Sequence, residues 1–288
     1  MRIRHDRPED DQSMYPILGE PFGIPIRSFG VMVALAFVLA LWASQREARR
    51  TGRLDPEVVG DLLLWVMVGG ILGARVLYCI VHWPDQFAHQ PIELLKVWKG
   101  GLVSYGGFFG GFFGGWLFTR RRKIDFVTLG DTCMAGLMLG QAIGRIGCLL
   151  VGDDHGGPTD VPWAITFPDV RESLMPADLI GVPVHPTQLY LLMQAFTIFL
   201  ILSWIARRAT FHGQVFYWGL ILYPIGRSIC EVFRADDSAR GIYYGVSTAQ
   251  WISIPIFFIG VIGLTRAAKA GRPLSASPLP PSPDPRAA

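Results

Sequence analysis

Long apolar runs alternate with short basic clusters along almost the whole chain. The first run, at 28–44, reads SFGVMVALAFVLALWAS and is followed at once by Arg46, Arg49, Arg50 and Arg53. A bilayer crossing takes about 20 apolar residues as a helix, so this run sits near the lower limit. Further runs at 57–81, 101–118, 126–151, 186–205, 213–233 and 246–264 predict six more helices. The third is dense in glycine (GGLVSYGGFFGGFFGGWLF) and stops at Arg120, Arg121, Arg122 and Lys123. The fifth stops at Arg207 and Arg208, the seventh at Arg266, Lys269 and Arg272. Basic residues gather at cytoplasmic ends, so these clusters predict an odd number of crossings with the N-terminus outside and the C-terminus cytoplasmic.

The remaining stretches read differently. Residues 82–100 mix tryptophan, proline and charge and suit a helix lying in the outer interface. Residues 152–185, rich in proline and polar groups, suit an outer loop or small extracytoplasmic cap. The first 27 residues form an extracytoplasmic arm with no apolar core of signal-peptide type. Residues 28–264 make up the membrane domain, and the tail at 265–288, with SASPLPPSPDP, cannot build a core. The expected fold is therefore an all-α integral membrane protein of about seven transmembrane helices.

Composition agrees: 51% of the 288 residues are hydrophobic and only 17% are charged. That excludes an ordinary soluble domain. The net charge of +3 comes from clusters at helix ends, which argues against a nucleic-acid partner. Cys79, Cys133, Cys148 and Cys230 form no CxxC pair and lie in or beside apolar runs, so they read as small packing residues and not as a zinc site. No internal repeat of the kind transporters use is present.

The candidate chemistry lies where charge enters these runs. Arg75, Arg145 and Arg227 each interrupt an apolar helix, and a charge at membrane depth costs on the order of 3 kcal/mol. One reading is snorkelling or a bond to helix carbonyls; the other is a set of guanidiniums converging on a phosphate. In YPIGRSICEVFR, Tyr223, Arg227, Glu231 and Arg234 recur at helical spacing, which places them on one stripe. Glu231 then suits an internal ion pair with one of the arginines. After Arg145 come Cys148 and the acidic turn Asp153, Asp154 and His155, which is too compact for three residues to reach one metal ion together. His185 and Tyr190 open the fifth run, and Tyr105 is followed by Gly106 and Gly107, where a ligand could come close to the backbone.

The stretches GGILGARVLY, WKGGLVSYGG, GRIGCLLVGDDHG, VHPTQLY and YPIGRSICEVFR, in that order, resemble the prolipoprotein diacylglyceryl transferases of bacterial envelopes. The likeness runs from about Phe22 to Leu264. It implies an enzyme of the bacterial cytoplasmic (inner) membrane. Such an enzyme moves the diacylglyceryl group of phosphatidylglycerol onto the lipobox cysteine of a preprolipoprotein, with no metal or cofactor. The resemblance assigns Arg145, Arg227, Tyr223, Glu231 and Asp153 to the lipid headgroup or to support of the reaction. Three positions depart from the family: Tyr105 stands where members have a histidine proposed as base, Cys148 where they have asparagine, and Phe29 where they have tyrosine. Tyr105 is then expected to position or relay a proton, with His155, Asp153 and the substrate phosphate as alternative bases. Arg75, Gly106, Gly107, Cys148 and His185 complete the expected substrate contacts. A non-catalytic lipid-binding or lipid-translocating paralogue, and a transferase with another acceptor, stand as the alternative readings.

Overall fold

The computed structural model describes residues 14–23, 25–82, 104–235 and 241–274. The expected interfacial helix at 82–100 lies, from residue 83 on, outside the described residues. So do residues 1–13 of the arm, residues 275–288 of the tail and the side chain of Tyr105. Seven α-helices occur among the described residues: α1 (Ser28–Thr51), α2 (Pro56–Val81), α3 (Ser104–Arg122), α4 (Phe126–Val151), α5 (Thr187–Arg208), α6 (Gln214–Glu231) and α7 (Thr248–Ala270). Each apolar run is thus a helix. Five of them, α1, α2, α4, α5 and α7, are long and apolar enough to cross a membrane. Glycine and a terminal Arg120–Arg122 cluster dilute α3, and Arg227 and Glu231 interrupt the short α6.

Helix ends follow local chemistry. Asp55 caps α2 by accepting from the Glu57 amide, and Pro56 takes the first turn, where its missing N–H costs nothing. Ser247 and Gln250 form a reciprocal capping box at the start of α7. At the other end, α1 continues past its apolar run through Arg46, Arg49 and Arg50, because straight-chain basic residues favour helix and suit its C-terminal dipole. Two short antiparallel hairpins, β1 (Ile17–Gly19) with β2 (Ile26–Arg27) and β3 (Ile242–Tyr243) with β4 (Val246–Ser247), were not visible in the apolar pattern.

The chain divides into two compact units. One comprises the described residues up to Ala43 together with Met134–Leu274; the other is Ser44–Cys133. In the first unit, Met134 and Met138 of α4 pack with Ile198 and Leu202 of α5 and Val215 of α6. A second core forms the cap, where Met14, Phe167, Met175 and Val184 are buried together. The loop at 152–185 is therefore a folded element, tied by paired bonds between Ile165 and Val184 at 3.1 and 2.9 Å.

In the second unit α2 and α3 pack backbone to backbone. A Cβ on Gly73 would strike the Gly106 carbonyl oxygen and lie 2.7 Å from the Gly110 Cα. One on Gly110 would strike the Gly69 carbonyl oxygen and lie 2.8 Å from the Gly73 Cα. Glycines four residues apart on both helices let the axes close to this distance, which substitutes for the hydrophobic drive that lipid does not supply. The opposite faces carry exposed apolar side chains, with Leu64, Val68, Leu72, Val76 and Ile80 on α2 and Phe108, Phe109, Phe112 and Phe113 on α3. In water such a surface would aggregate; against acyl chains it is the ordinary exterior. At one end of this unit, Arg53 reaches Asp131 at 3.3 Å, and both are nearly buried.

Gly110→Leu is expected to lower the thermal unfolding midpoint of the detergent-solubilised protein, costing roughly 1–3 kcal/mol. Gly111→Ala, whose Cβ would meet Val66 at an ordinary 3.5 Å, is expected to change it little. A thermal melt of both variants beside the wild type checks this.

Candidate functional site

The first unit gathers Arg145, Arg227 and Glu231 around the turn that follows α4. Arg145 lies in the last two turns of α4, and Asp154 lies just beyond that helix. Gly152, at φ 75°, reverses the chain there, with its amide returning to Leu149 and that of Asp153 to Cys148. The reversal brings Asp154 back onto the helix it has just left, where its Oδ2 pairs with Arg145 Nη1. Asp154 Oδ1 accepts from Arg234 Nη2 at 2.5 Å.

Arg234 continues the chain of charge. Its Nη1 lies 3.8 Å from Glu231 Oε2, and that same oxygen pairs with Arg227 Nη1 one turn earlier on α6. Glu231 is fully buried and the Arg234 side chain is 8% exposed, while Arg145 and Arg227 keep 16% and 11%. Three guanidiniums thus alternate with two carboxylates in one connected row. Each carboxylate bridges two arginines, so removing either would leave a buried cation short of its partner. Burial works to raise the Asp154 carboxyl, but Arg145, Arg234 and Arg227 outweigh it and hold the group below the usual carboxylate range.

The sequence placed Arg234 on the helical stripe of Tyr223, Arg227 and Glu231. The structure corrects this: α6 ends at Glu231, and Arg234 forms an isolated antiparallel bridge with Gly156. Bonds from the Gly157 amide to the Phe233 carbonyl and from the Ala235 amide to the His155 carbonyl stop the helix. This bridge sets Arg234 beside Asp154. The partner of Arg145 is likewise Asp154, not the neighbouring Asp153. Asp153 Oδ1 accepts from the Asp154 amide at 2.9 Å, although ligand atoms of Cys148, Asp153 and Asp154 all lie within 4.8 Å of one another. Both oxygens of Asp154 hold guanidiniums, so its carboxylate is already engaged with protein cations.

The start of α5 braces this turn from the other side. Gln188 Nε2 donates to the Asp153 carbonyl at 2.7 Å, and the Thr187 hydroxyl donates to the Asp154 carbonyl. Both side chains are fully buried. Sequence reasoning singled out Asp154 and Arg234 without assigning them to the substrate site, and it passed over Thr187 and Gln188. The VHPTQLY motif and the three-residue step from Glu231 to Arg234 were the signals available.

The other expected residues fall as follows. Cys148 is buried, with Sγ 3.7 Å from Arg145 Nη1 and 3.6 Å from Asp154 Oδ2. Tyr223 lies close enough to Arg145 to interact with it electrostatically. His155 is buried, its Nδ1 3.3 Å from the Gly156 carbonyl. His185 sits in an aromatic cluster, with Nδ1 3.2 Å from the Tyr190 hydroxyl and its ring 5.2 Å from Phe233. Trp163 donates to the same hydroxyl at 2.7 Å. Phe29 borders α4 at Gly147, where a Cβ would lie 3.2 Å from its ring.

Arg75, Gly106 and Gly107 belong to the second unit. Arg75 is buried, with its guanidinium carbon 5.4 Å from the Tyr78 ring. Gly106 serves helix packing: a Cβ there would strike Gly73 and lie 2.7 Å from Leu77. Gly107 has ordinary room, its nearest neighbour being Ala74 at 3.7 Å. Tyr105 lies in the first turn of α3.

Comparison with known proteins places this arrangement. The profile of the prolipoprotein diacylglyceryl transferase family matches residues 16–266. Among similar proteins, one from Synechococcus elongatus is 35% identical over 255 residues, covering 86% of this chain and 86% of its own. One from Geobacter sulfurreducens is 34% identical over 252 residues, covering 86% and 92%. A third, from Idiomarina loihiensis, is 31% identical over 257 residues, covering 88% and 93%. All three carry the name phosphatidylglycerol–prolipoprotein diacylglyceryl transferase. On the span of the match, and on identities held across nearly full length, this chain belongs to the prolipoprotein diacylglyceryl transferase family.

Proposed function

We propose that this chain transfers the diacylglyceryl group of phosphatidylglycerol to the lipobox cysteine thiol of preprolipoproteins, as a multi-pass protein of the bacterial cytoplasmic membrane. The observation that carries the reading is the connected row Arg145–Asp154–Arg234–Glu231–Arg227. Arg145 and Arg227 each spend only Nη1 on protein partners among the described residues, so Nε and Nη2 of both are donors for a phosphate. The shared carboxylates hold the two guanidiniums in place before substrate arrives.

In the reaction the acceptor thiol loses its proton and its sulfur bonds to the terminal glyceryl carbon of the diacylglycerol. The C–O bond to phosphate breaks, and glycerol phosphate leaves with the electron pair. A phosphodiester with one negative charge becomes a monoester that carries more. Guanidiniums already aimed at those oxygens favour the transition state over the ground state, where less charge is present. The thiolate is the nucleophile, and the same positive field favours it. Tyr105 positions or relays the thiol proton at the place where other members carry histidine. Tyr223, Cys148, Asp153, Arg75, Gly107 and His185 complete the substrate contacts in this reading.

All seven helices cross the bilayer, with the N-terminus outside. The paired charges of α6 make its crossing affordable, since Glu231 offsets Arg227 and both face protein. The cap at 152–185 and the charged row then lie towards the outer leaflet, where an exported preprolipoprotein is met.

Arg145→Ala and Arg227→Ala are each expected to lower the transfer rate about 10²–10³-fold while leaving the protein inserted. The assay measures thioether formation on a lipobox peptide in membranes containing phosphatidylglycerol, and full activity in either variant rejects the clamp. Tyr105→Phe is expected to slow transfer as well; an unchanged rate and pH profile in the same assay would remove it from the reaction.

The depressed Asp154 carboxyl gives a pH prediction with a definite sign. Its stabilising contribution is complete above its unfolded value near 3.9 and is lost as pH falls through the lower folded value. Asp154→Asn is expected to destabilise the protein at neutral pH by about 3 kcal/mol, because Arg145 and Arg234 lose a shared partner. It should also remove that part of the acid-side loss. Melting midpoints of both proteins between pH 3 and 7 check this.

A further inference from the structure

At the basic end of α3, well along the helix from Tyr105, a cleft of about 570 Å³ opens between that helix and the start of α4. Its volume falls in the ~300–1,000 Å³ range of small-ligand sites. One part is apolar: Phe112 and Phe126 meet edge to face at 5.9 Å, with Ile124 and Trp116 beside them. The other part holds Arg120 and Lys123.

The four basic residues at this end are used differently. Arg122 is neutralised by Asp61 at 2.6 Å, and Arg121 lies over the Trp65 ring at 5.3 Å, so both are committed to α2. Arg120 and Lys123 instead line the cleft, exposed, and among the described residues neither is paired with a carboxylate. The Arg120 guanidinium carbon lies 5.2 Å from the Trp116 ring centroid. A tight turn at Lys123, φ 55°, sets that residue beside the mouth, with the Ile124 amide returning to the Thr119 carbonyl at 2.9 Å. The cleft's one carboxylate, Asp125, accepts from the amide and hydroxyl of Thr128 as the cap of α4.

Two cations next to an aromatic, apolar slot, on a helix whose outer face is already apolar, match an amphipathic anion lying along the helix. We propose that this cleft binds an anionic glycerophospholipid, with its phosphate on Arg120 and Lys123 and its acyl chain over Phe112, Trp116 and Phe126. Basic pockets beside membrane helices recognise such headgroups by charge, and the aromatic floor selects a lipid over a free phosphate.

Trp116 reports on the site. The full-length protein is reconstituted in phosphatidylcholine vesicles containing 10 mol% of either brominated phosphatidylglycerol or brominated phosphatidylcholine, with no acceptor peptide present. Subtracting the quenching of Trp116→Phe isolates the Trp116 signal. Phosphatidylglycerol is expected to be enriched at Trp116 about fivefold or more over phosphatidylcholine. Arg120→Gln/Lys123→Gln should abolish that excess, and Arg120→Lys/Lys123→Arg should keep it. Arg122→Gln and Arg145→Ala should both leave it in place, separating this cleft from general surface charge and from the reaction centre. Equal quenching by the two lipids in the wild type overturns the proposal without need of any variant at the cleft. So does an excess that survives the double glutamine variant or disappears in Arg122→Gln. The same brominated vesicles with inorganic phosphate added supply the remaining arm: displacement of the excess by phosphate would assign the site to the free ion and overturn the lipid proposal.

Discussion

Sharing two carboxylates among three guanidiniums is the constraint on which the first unit depends. Each charge in that row would be costly to bury alone, and each is tolerable because the next one is fixed beside it. Asp154 is the critical link, since its two oxygens hold arginines from different parts of the chain. The backbone is arranged to put it there: Gly152 reverses the chain, Gln188 and Thr187 pin the carbonyls of the turn, and the Gly156–Arg234 bridge delivers the third guanidinium. Preorganisation of this kind is what an electrostatic catalyst needs, because groups already held in place need no reorganisation as charge develops.

A different solution holds the second unit together. In lipid, apolar side chains gain little by meeting each other, so α2 and α3 associate through backbone contact at Gly69, Gly73, Gly106 and Gly110. The large apolar side chains point the other way. This inverts the soluble pattern, and it explains how a glycine-dense helix that is poor by propensity is held firmly by its neighbour. The same economy leaves basic residues at the end of α3 with separate tasks: one paired to Asp61, one stacked on Trp65, and two at the mouth of a cleft.

Two of the three positions at which the resemblance expected another residue, Cys148 and Phe29, lie on or beside α4. Cys148 touches both Arg145 and Asp154, so a thiol stands among the charged groups. A thiol is a weak donor and acceptor, so the hold on Arg145 rests mainly on Asp154. Phe29 sets its ring against Gly147. These changes leave the guanidinium row intact.

By itself the sequence determined the helices and the charged residues worth attention. Apolar run length and basic stops are local properties, and each run became a helix, with Phe126–Val151 matching its expected bounds. Arg145, Arg227 and Glu231 stood out because charge inside an apolar run is costly wherever the chain folds. Tertiary structure alone decided which carboxylate meets which arginine. Asp153 and Asp154 are adjacent and chemically identical; the reversal at Gly152, Asp154's own φ of 55° and the bracing from Thr187 and Gln188 select the second. Arg234 looked like the next residue on a helical stripe, yet it reaches Asp154 because a bridge to Gly156, far away in sequence, ends the helix first. Periodicity describes neighbours along one helix; it carries no information about partners eighty residues apart, which only packing brings within reach of a hydrogen bond.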